Sequence, residues 1–204
     1  MIIGVDFDNT IVSYDDLFHR LAVQRGIVPA DLPSRKNDVR DYLRGRGEED
    51  KWTELQGHVY GPGMAGARPF PGVIEFFTHA IRQRLPIYII SHKTRQPVIG
   101  PAYDLHQTAR DWLAAQGFFD PQRIGLPRDH VFFGETRQEK IAHIRETGCT
   151  VFIDDLEETF LERTFPPGVK QILFGHHVPP PGLAKALTAP DWARVRHHVF
   201  PNPI

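Results

Sequence analysis

Five short apolar runs constrain this chain more than anything else in it: IIGVDF at 2–7, PIYIIS at 86–91, HVFFG at 130–134, TVFID at 150–154 and KQILF at 170–174. A strand with one wetted face alternates apolar and polar side chains. A continuous run rich in Ile, Val, Phe and Tyr is instead a strand covered on both faces. Between the runs the apolar period changes. Val73, Phe76, Phe77, Ala80 and Ile81 recur at spacings of three and four. Leu105, Ala109, Trp112 and Leu113 do so in 104–117, which Gly117 closes; Ile141 and Ile144 do so in 136–148, which Gly148 closes. Strands alternating with helices predict an α/β fold, a Rossmann-like three-layer sandwich with a central parallel sheet.

Residues 13–70 break that rhythm. They hold an amphipathic stretch at 15–26, a polar middle rich in Arg and Asp, a helical pattern at 48–57 (EEDKWTELQG) and a Gly/Pro cluster at 60–72. The cluster reads as a hinge or return loop. The expected organisation is a core domain of 1–12 and 71–204, with 13–70 as a small helical insert after the first strand. A last helix is expected around 183–196, packed on the core by Trp192.

A chain of 204 residues is long enough for one sizeable core and a small accessory unit. Its formal net charge is −1 and no long run of like charge occurs, so it offers no electrostatic footprint for a nucleic acid polymer or an anionic membrane. The single cysteine, Cys149, permits no disulfide within the chain and precedes an apolar run, which reads as packing in a reducing compartment. No apolar stretch approaches the roughly 18 residues of a membrane helix, and 1–7 is too short for a signal-peptide core. The expectation is a cytoplasmic protein.

In open parallel sheets, ligands bind beyond the carboxyl ends of the strands. The residues just past the apolar runs are Asp6 and Asp8, then Ser91, His92 and Lys93, then Asp154 and Asp155; Lys140 lies in the helix feeding the fourth run. Each has an ordinary alternative. Asp-x-Asp occurs in turns, a strand-end Ser caps helices, and a helical Lys is usually solvated. Asp154 and Asp155 are the exception, because adjacent carboxylates after an apolar strand oppose each other's ionisation unless a cation or hydrogen bonds compensate.

Taken in this order, the residues resemble the haloacid dehalogenase (HAD) superfamily. DFDNT at 6–10 matches its DxDx[TV] motif, IIS at 89–91 its second motif, Lys140 its third and FIDD at 152–155 its fourth. The likeness runs over about residues 1–175. It implies Asp6 as a nucleophile that becomes an aspartyl-phosphate, and Asp8 as general acid and base. Ser91 and Lys140 would bind phosphoryl oxygens, and Asn9, Thr10, His92 and Lys93 would join them at the substrate. Mg²⁺ would sit on the Asp6 carboxylate, the Asp8 carbonyl and Asp154, with Asp155 holding a metal-bound water or Lys140. An aspartate at position 8 favours phosphoryl transfer to water over carbon chemistry. The implied function is a Mg²⁺-dependent phosphomonoester hydrolase acting on a small phosphorylated metabolite. A nucleotidase-like or carbohydrate-biosynthesis phosphatase is one alternative, and a non-catalytic HAD-fold binding protein another.

In the resemblance the insert is a C1-type cap. Its Arg25, Arg35, Lys36, Arg40, Arg44 and Arg46 would meet an anionic substrate, although mixed Arg, Asp and Glu helices ordinarily form a solvated face. The pairs His176–His177 and His197–His198 read as surface residues, because adjacent side chains in extended chain point opposite ways.

Overall fold

A computed structural model describes residues 1–175, 178 and 181–201; the pair His176–His177 lies outside them. The strands in chain order are β1 (Ile3–Val5), β2 (Val12–Ser13), β3 (Arg68–Pro69), β4 (Ile87–His92), β5 (Val131–Gly134), β6 (Val151–Asp154), β7 (Lys170–Phe174) and β8 (Leu187–Ala189). The helices are α1 (Asp15–Gln24), α2 (Lys36–Gly45), α3 (Glu49–Tyr60), α4 (Val73–Arg82), α5 (Leu105–Ala115), α6 (Arg137–Glu146), α7 (Glu157–Leu161) and α8 (Trp192–Val199). The chain divides into two compact units.

The first unit comprises Met1–Val12, Pro69–Lys93 and Gln116–Ile204. Its six-stranded sheet has the order β5-β4-β1-β6-β7-β8, and every neighbouring pair runs parallel. The five apolar runs supply five of the strands, and both faces are covered as continuous hydrophobicity requires. One face packs Ile90, Phe152 and Leu173 against Ile141, Ile144 and Phe160. On another side Phe76 of α4 meets Trp192 of α8 with ring centroids 4.9 Å apart, and Phe77 meets Phe118 at 5.1 Å.

Two terminal features differ from the sequence expectation. The region 183–196 is not one helix: Leu187–Ala189 adds β8 as the outermost strand on the β7 side, and the helix begins at Trp192. Pro190 separates them, and the Asp191 side chain accepts the Arg194 N–H at 2.8 Å to start the helix.

Central β1 requires a glycine. A Cβ on Gly4 would lie 2.5 Å from Cδ2 of the Phe152 ring and 2.7 Å from Cys149 Sγ. Phe152 is fully buried and cannot swing away. Gly4→Ala should therefore cost about 1–3 kcal/mol by overpacking, read as a lower urea midpoint. An unchanged midpoint would show that the sheet yields freely there. Cys149 is itself core: it is 5% exposed, and burial pushes its thiol pKa up, away from the reactive thiolate.

The second unit comprises Ser13–Arg68 and Thr94–Ala115. Its core is aromatic. Phe18 stacks on Trp52 at 5.0 Å, and Tyr60 meets Tyr14 at 5.0 Å and Phe18 at 5.7 Å. The polar middle of the insert contains α2, unexpected from sequence, which buries only Val39 and Leu43. The segment 94–115, expected with the core, clusters here. Gly57 of α3 and Gly61 just past its end open a track for it: a Cβ on Gly57 would lie 2.7 Å from Pro97, and one on Gly61 2.7 Å from Tyr103. Trp112 of α5 donates its Nε1–H to the Ala67 carbonyl at 3.1 Å.

The basic residues of the insert mostly have acidic neighbours. Arg44 forms a two-pronged pair with Glu49 at 2.7 and 2.9 Å, while Arg25 pairs with Glu54, Arg40 with Asp41 and Arg46 with Glu48. That is the mixed-charge solvated face the composition suggests.

Candidate active site

From β1 the chain crosses to β4 and β5 on one side, then returns to β6, β7 and β8 on the other. Such a reversal opens a crevice beyond the carboxyl ends of the strands around β1. Asp6 stands at its base. Its N–H donates to the Ile153 carbonyl at 2.8 Å, carrying the ladder one residue past β1 and fixing the carboxylate at the strand end. Asp6 is 4% exposed.

A tight loop follows. Asn9 adopts φ 56°, a left-handed conformation that asparagine tolerates better than most residues. Ile11 and Val12 both donate their N–H groups to the Phe7 carbonyl, at 3.0 and 3.1 Å. Trp192 pins the loop from the far end of the chain: its Nε1–H donates to the Thr10 carbonyl at 3.0 Å. The Thr10 hydroxyl in turn lies 3.5 Å from both Asp6 Oδ2 and Asp155 Oδ1. Trp192 packs against Phe76 and Phe174, the kind of contact its sequence context predicts; its second task, holding the acidic loop, leaves no local signature.

Lys140 reaches the same place from α6. Its side chain emerges on the face of the sheet where Asp154 points, two residues along β6 from Phe152 and therefore on the same side. Lys140 Nζ lies 2.6 Å from Asp6 Oδ1 and 2.6 Å from Asp154 Oδ2, and all three residues are almost fully buried. The remaining Asp154 oxygen accepts the Leu156 N–H at 3.0 Å. Burial alone would pull the Lys140 ammonium down, but Asp154 and Asp6 outweigh it and hold the pKa above the ordinary lysine range. Burial pushes Asp6 up to about 7, against the pull of Lys140; the neighbouring Asp154 and Asp8 push the same way.

The residues at the end of β4 divide by the strand period. Ser91 and Lys93 are buried, at 1% and 4% exposure, while His92 between them is exposed. Lys93 Nζ contacts both oxygens of Asp8, at 3.0 and 2.8 Å. His92 turns to the Glu135 carbonyl at 3.1 Å, and its pKa is lowered chiefly by burial. Asn9 shapes the loop and is half-buried. Asp6, Thr10, Lys140, Asp154 and Asp155 are thus linked by direct contacts, and the Lys93–Asp8 pair stands near enough for Asp8 to act on Asp6 through its charge.

The donor set suits a hard divalent cation. Asp6, Asp154 and Asp155 each place a carboxylate oxygen within 4.8 Å of the others. Carboxylate oxygens are the ligands that Mg²⁺ and Ca²⁺ take. With Asp8 the site holds four carboxylates against the two ammonium groups of Lys93 and Lys140, a formal excess of two negative charges that one dication balances.

No family model and no curated protein matches the sequence. Solved structures do match the fold. A putative HAD hydrolase from Bacillus subtilis bound to magnesium superposes with a TM-score of 0.61 at 12% identity, covering 98% of both chains. A predicted phosphoglycolate phosphatase from Haemophilus somnus gives 0.59 at 16% identity, covering 97% of both. A phosphoserine phosphohydrolase-like protein from Francisella tularensis gives 0.55 at 14% identity, over 98% of this chain and 99% of that one. At these identities the likeness is one of fold, and that fold is shared with HAD-superfamily hydrolases over nearly the whole chain.

Proposed function

We propose that this chain is a Mg²⁺-dependent phosphomonoester hydrolase that works through an aspartyl-phosphate on Asp6. The observation that carries the reading is the Lys140 ammonium seated 2.6 Å from both Asp6 and Asp154, beside Asp155. A purely structural ion pair needs one carboxylate. This cluster gathers three on a cation-sized space at the crevice of the sheet, where structural acids carry a desolvation penalty without return.

Asp6 attacks phosphorus, forming a P–O bond while the bond to the leaving oxygen breaks. Asp8 gives that oxygen a proton. Asp8 then takes a proton from a water molecule as the water attacks phosphorus, releasing inorganic phosphate and restoring the Asp6 carboxylate. Ser91 and Lys140 would bind the phosphoryl oxygens, and Lys140 keeps Asp6 oriented. Asp6, Asp154, the Asp8 carbonyl and Asp155, directly or through water, would hold Mg²⁺, which supplies the positive charge that lets an anionic nucleophile approach an anionic ester. The magnesium in the Bacillus protein and the phosphate-ester names of the other two relatives are consistent with this chemistry.

The test is a panel of small phosphomonoesters, including nucleoside monophosphates and sugar phosphates, assayed for phosphate release with Mg²⁺. Release from at least one ester should stop with EDTA and return with added Mg²⁺. Absence of release across the panel would leave the fold as a binding module. Release that EDTA does not touch would remove the metal from the reading.

A further inference from the structure

Two lysines are buried at this site, and they divide its acids between them. Lys140 serves Asp6 and Asp154, whereas Lys93 serves Asp8. Lys93 is held to that task along its whole length. Its N–H donates to the Gly134 carbonyl at 2.8 Å, anchoring its backbone, one residue past β4, to the last residue of β5. Its ammonium passes 5.6 Å from the Phe7 ring centroid and ends centred on the Asp8 carboxylate. The lysine side chain is 3% exposed and the aspartate 20%, so Asp8 keeps an opening to solvent while Lys93 does not.

We propose that Lys93 is a positioning residue for Asp8, fixing the direction of its carboxylate toward the leaving-group oxygen, rather than a contact to the substrate. A carboxylate on a freely rotating bond presents its oxygens in many directions. A buried ammonium beside both oxygens restricts that rotation: when Asp8 carries the proton on one oxygen, Lys93 keeps its hold on the other, and the proton-bearing oxygen is left to face the leaving group. This rests on the phosphatase reading, and it makes a prediction that a phosphate contact does not. Lys93 should matter in proportion to how much the leaving group needs a proton. p-Nitrophenolate departs from phosphorus as a stable anion in neutral water, whereas a simple alkoxide requires protonation as it leaves.

The experiment is single-turnover release of the leaving group, with enzyme in excess and Mg²⁺ present, from p-nitrophenyl phosphate and from an alkyl phosphate. In Lys93→Met, p-nitrophenol release should fall by no more than about threefold while alcohol release falls by about 100-fold or more, the lower range for a lost proton transfer. Lys93→Arg, whose guanidinium also grips carboxylates by two bonds, should recover part of the alkyl activity. Equal losses on both esters would make Lys93 a phosphate contact or a structural residue, and no loss on either would remove it from catalysis; each overturns the proposal. Should Lys93→Met fail to fold, Lys93→Gln, which keeps a donor in the same space, decides by the same comparison. A wild-type protein that releases neither leaving group overturns the phosphatase reading itself, an outcome separate from a Lys93 variant that treats the two esters alike.

Discussion

Asp6→Asn should reduce phosphate release by on the order of 10⁵-fold, the scale on which removing a covalent nucleophile disables an enzyme, while leaving the fold in place. The amide keeps the shape of the carboxylate but cannot form the acyl-phosphate at a useful rate. Lys140 loses one of its two carboxylate partners, yet it keeps Asp154 at 2.6 Å, so no buried ammonium is left alone. The thermal midpoint should therefore move far less than the activity. Phosphate release in the variant within tenfold of the parent would remove Asp6 as nucleophile. A collapsed melting transition would instead make the carboxylate part of the scaffold.

Lys140→Met separates the architectural and chemical demands on the site in the opposite way. Methionine fills similar space without a charge, so two fully buried carboxylates face each other with Asp155 close by. Removing one partner of a buried ion pair typically costs about 3–5 kcal/mol, and phosphate release should be lost as well. Mg²⁺ should raise the melting temperature of this variant more than that of the parent, because a cation among the acids replaces the missing charge. The pH dependence has a definite sign. A carboxylate with its folded pKa above its unfolded value stabilises most when protonated, and that stability is lost as pH rises through the folded value. In the metal-free variant, stability should therefore increase as pH falls from 7 toward the ordinary aspartate range. The absence of a Mg²⁺ shift in both variant and parent would show that the acids do not share a cation, and equal shifts would show that Lys140 does not occupy the cation's place.

What the sequence reveals follows from how local each signal is. Five of six sheet strands are legible because strands buried on both faces need continuous apolar runs, and a run shows itself without knowledge of its neighbours. β8 is not: Leu-Thr-Ala is three residues long and half-buried at its first two positions. α2 hides because two buried residues suffice to seat it among its neighbours. Helical spacing in 104–117 announces α5 but not its partner, since an apolar stripe fits any apolar surface. The same distinction runs through the candidate site. Asp6, Asp8, Ser91, Lys140 and Asp154 are found by their places at strand ends and in one helix. The attachment of Lys93 to Asp8 joins residues 85 positions apart, and that of Trp192 to Thr10 joins residues 182 apart. Nothing in either local stretch encodes such a pairing.

The position of β1 at the centre of the sheet bears on how the molecule is made. β1 is flanked by β4 and β6, whose residues are synthesised more than 80 positions later. The loop carrying Asp6 and Asp8 is braced by Trp192 of α8, 182 positions after the Thr10 it holds. During synthesis this apolar strand waits with its backbone groups unpaired, the state most prone to illicit pairing with other chains. Contacts so distant in sequence also slow folding, because loop closure must precede the stabilisation they bring. The acidic loop is thus braced only once α8 has been synthesised and Trp192 has reached Thr10.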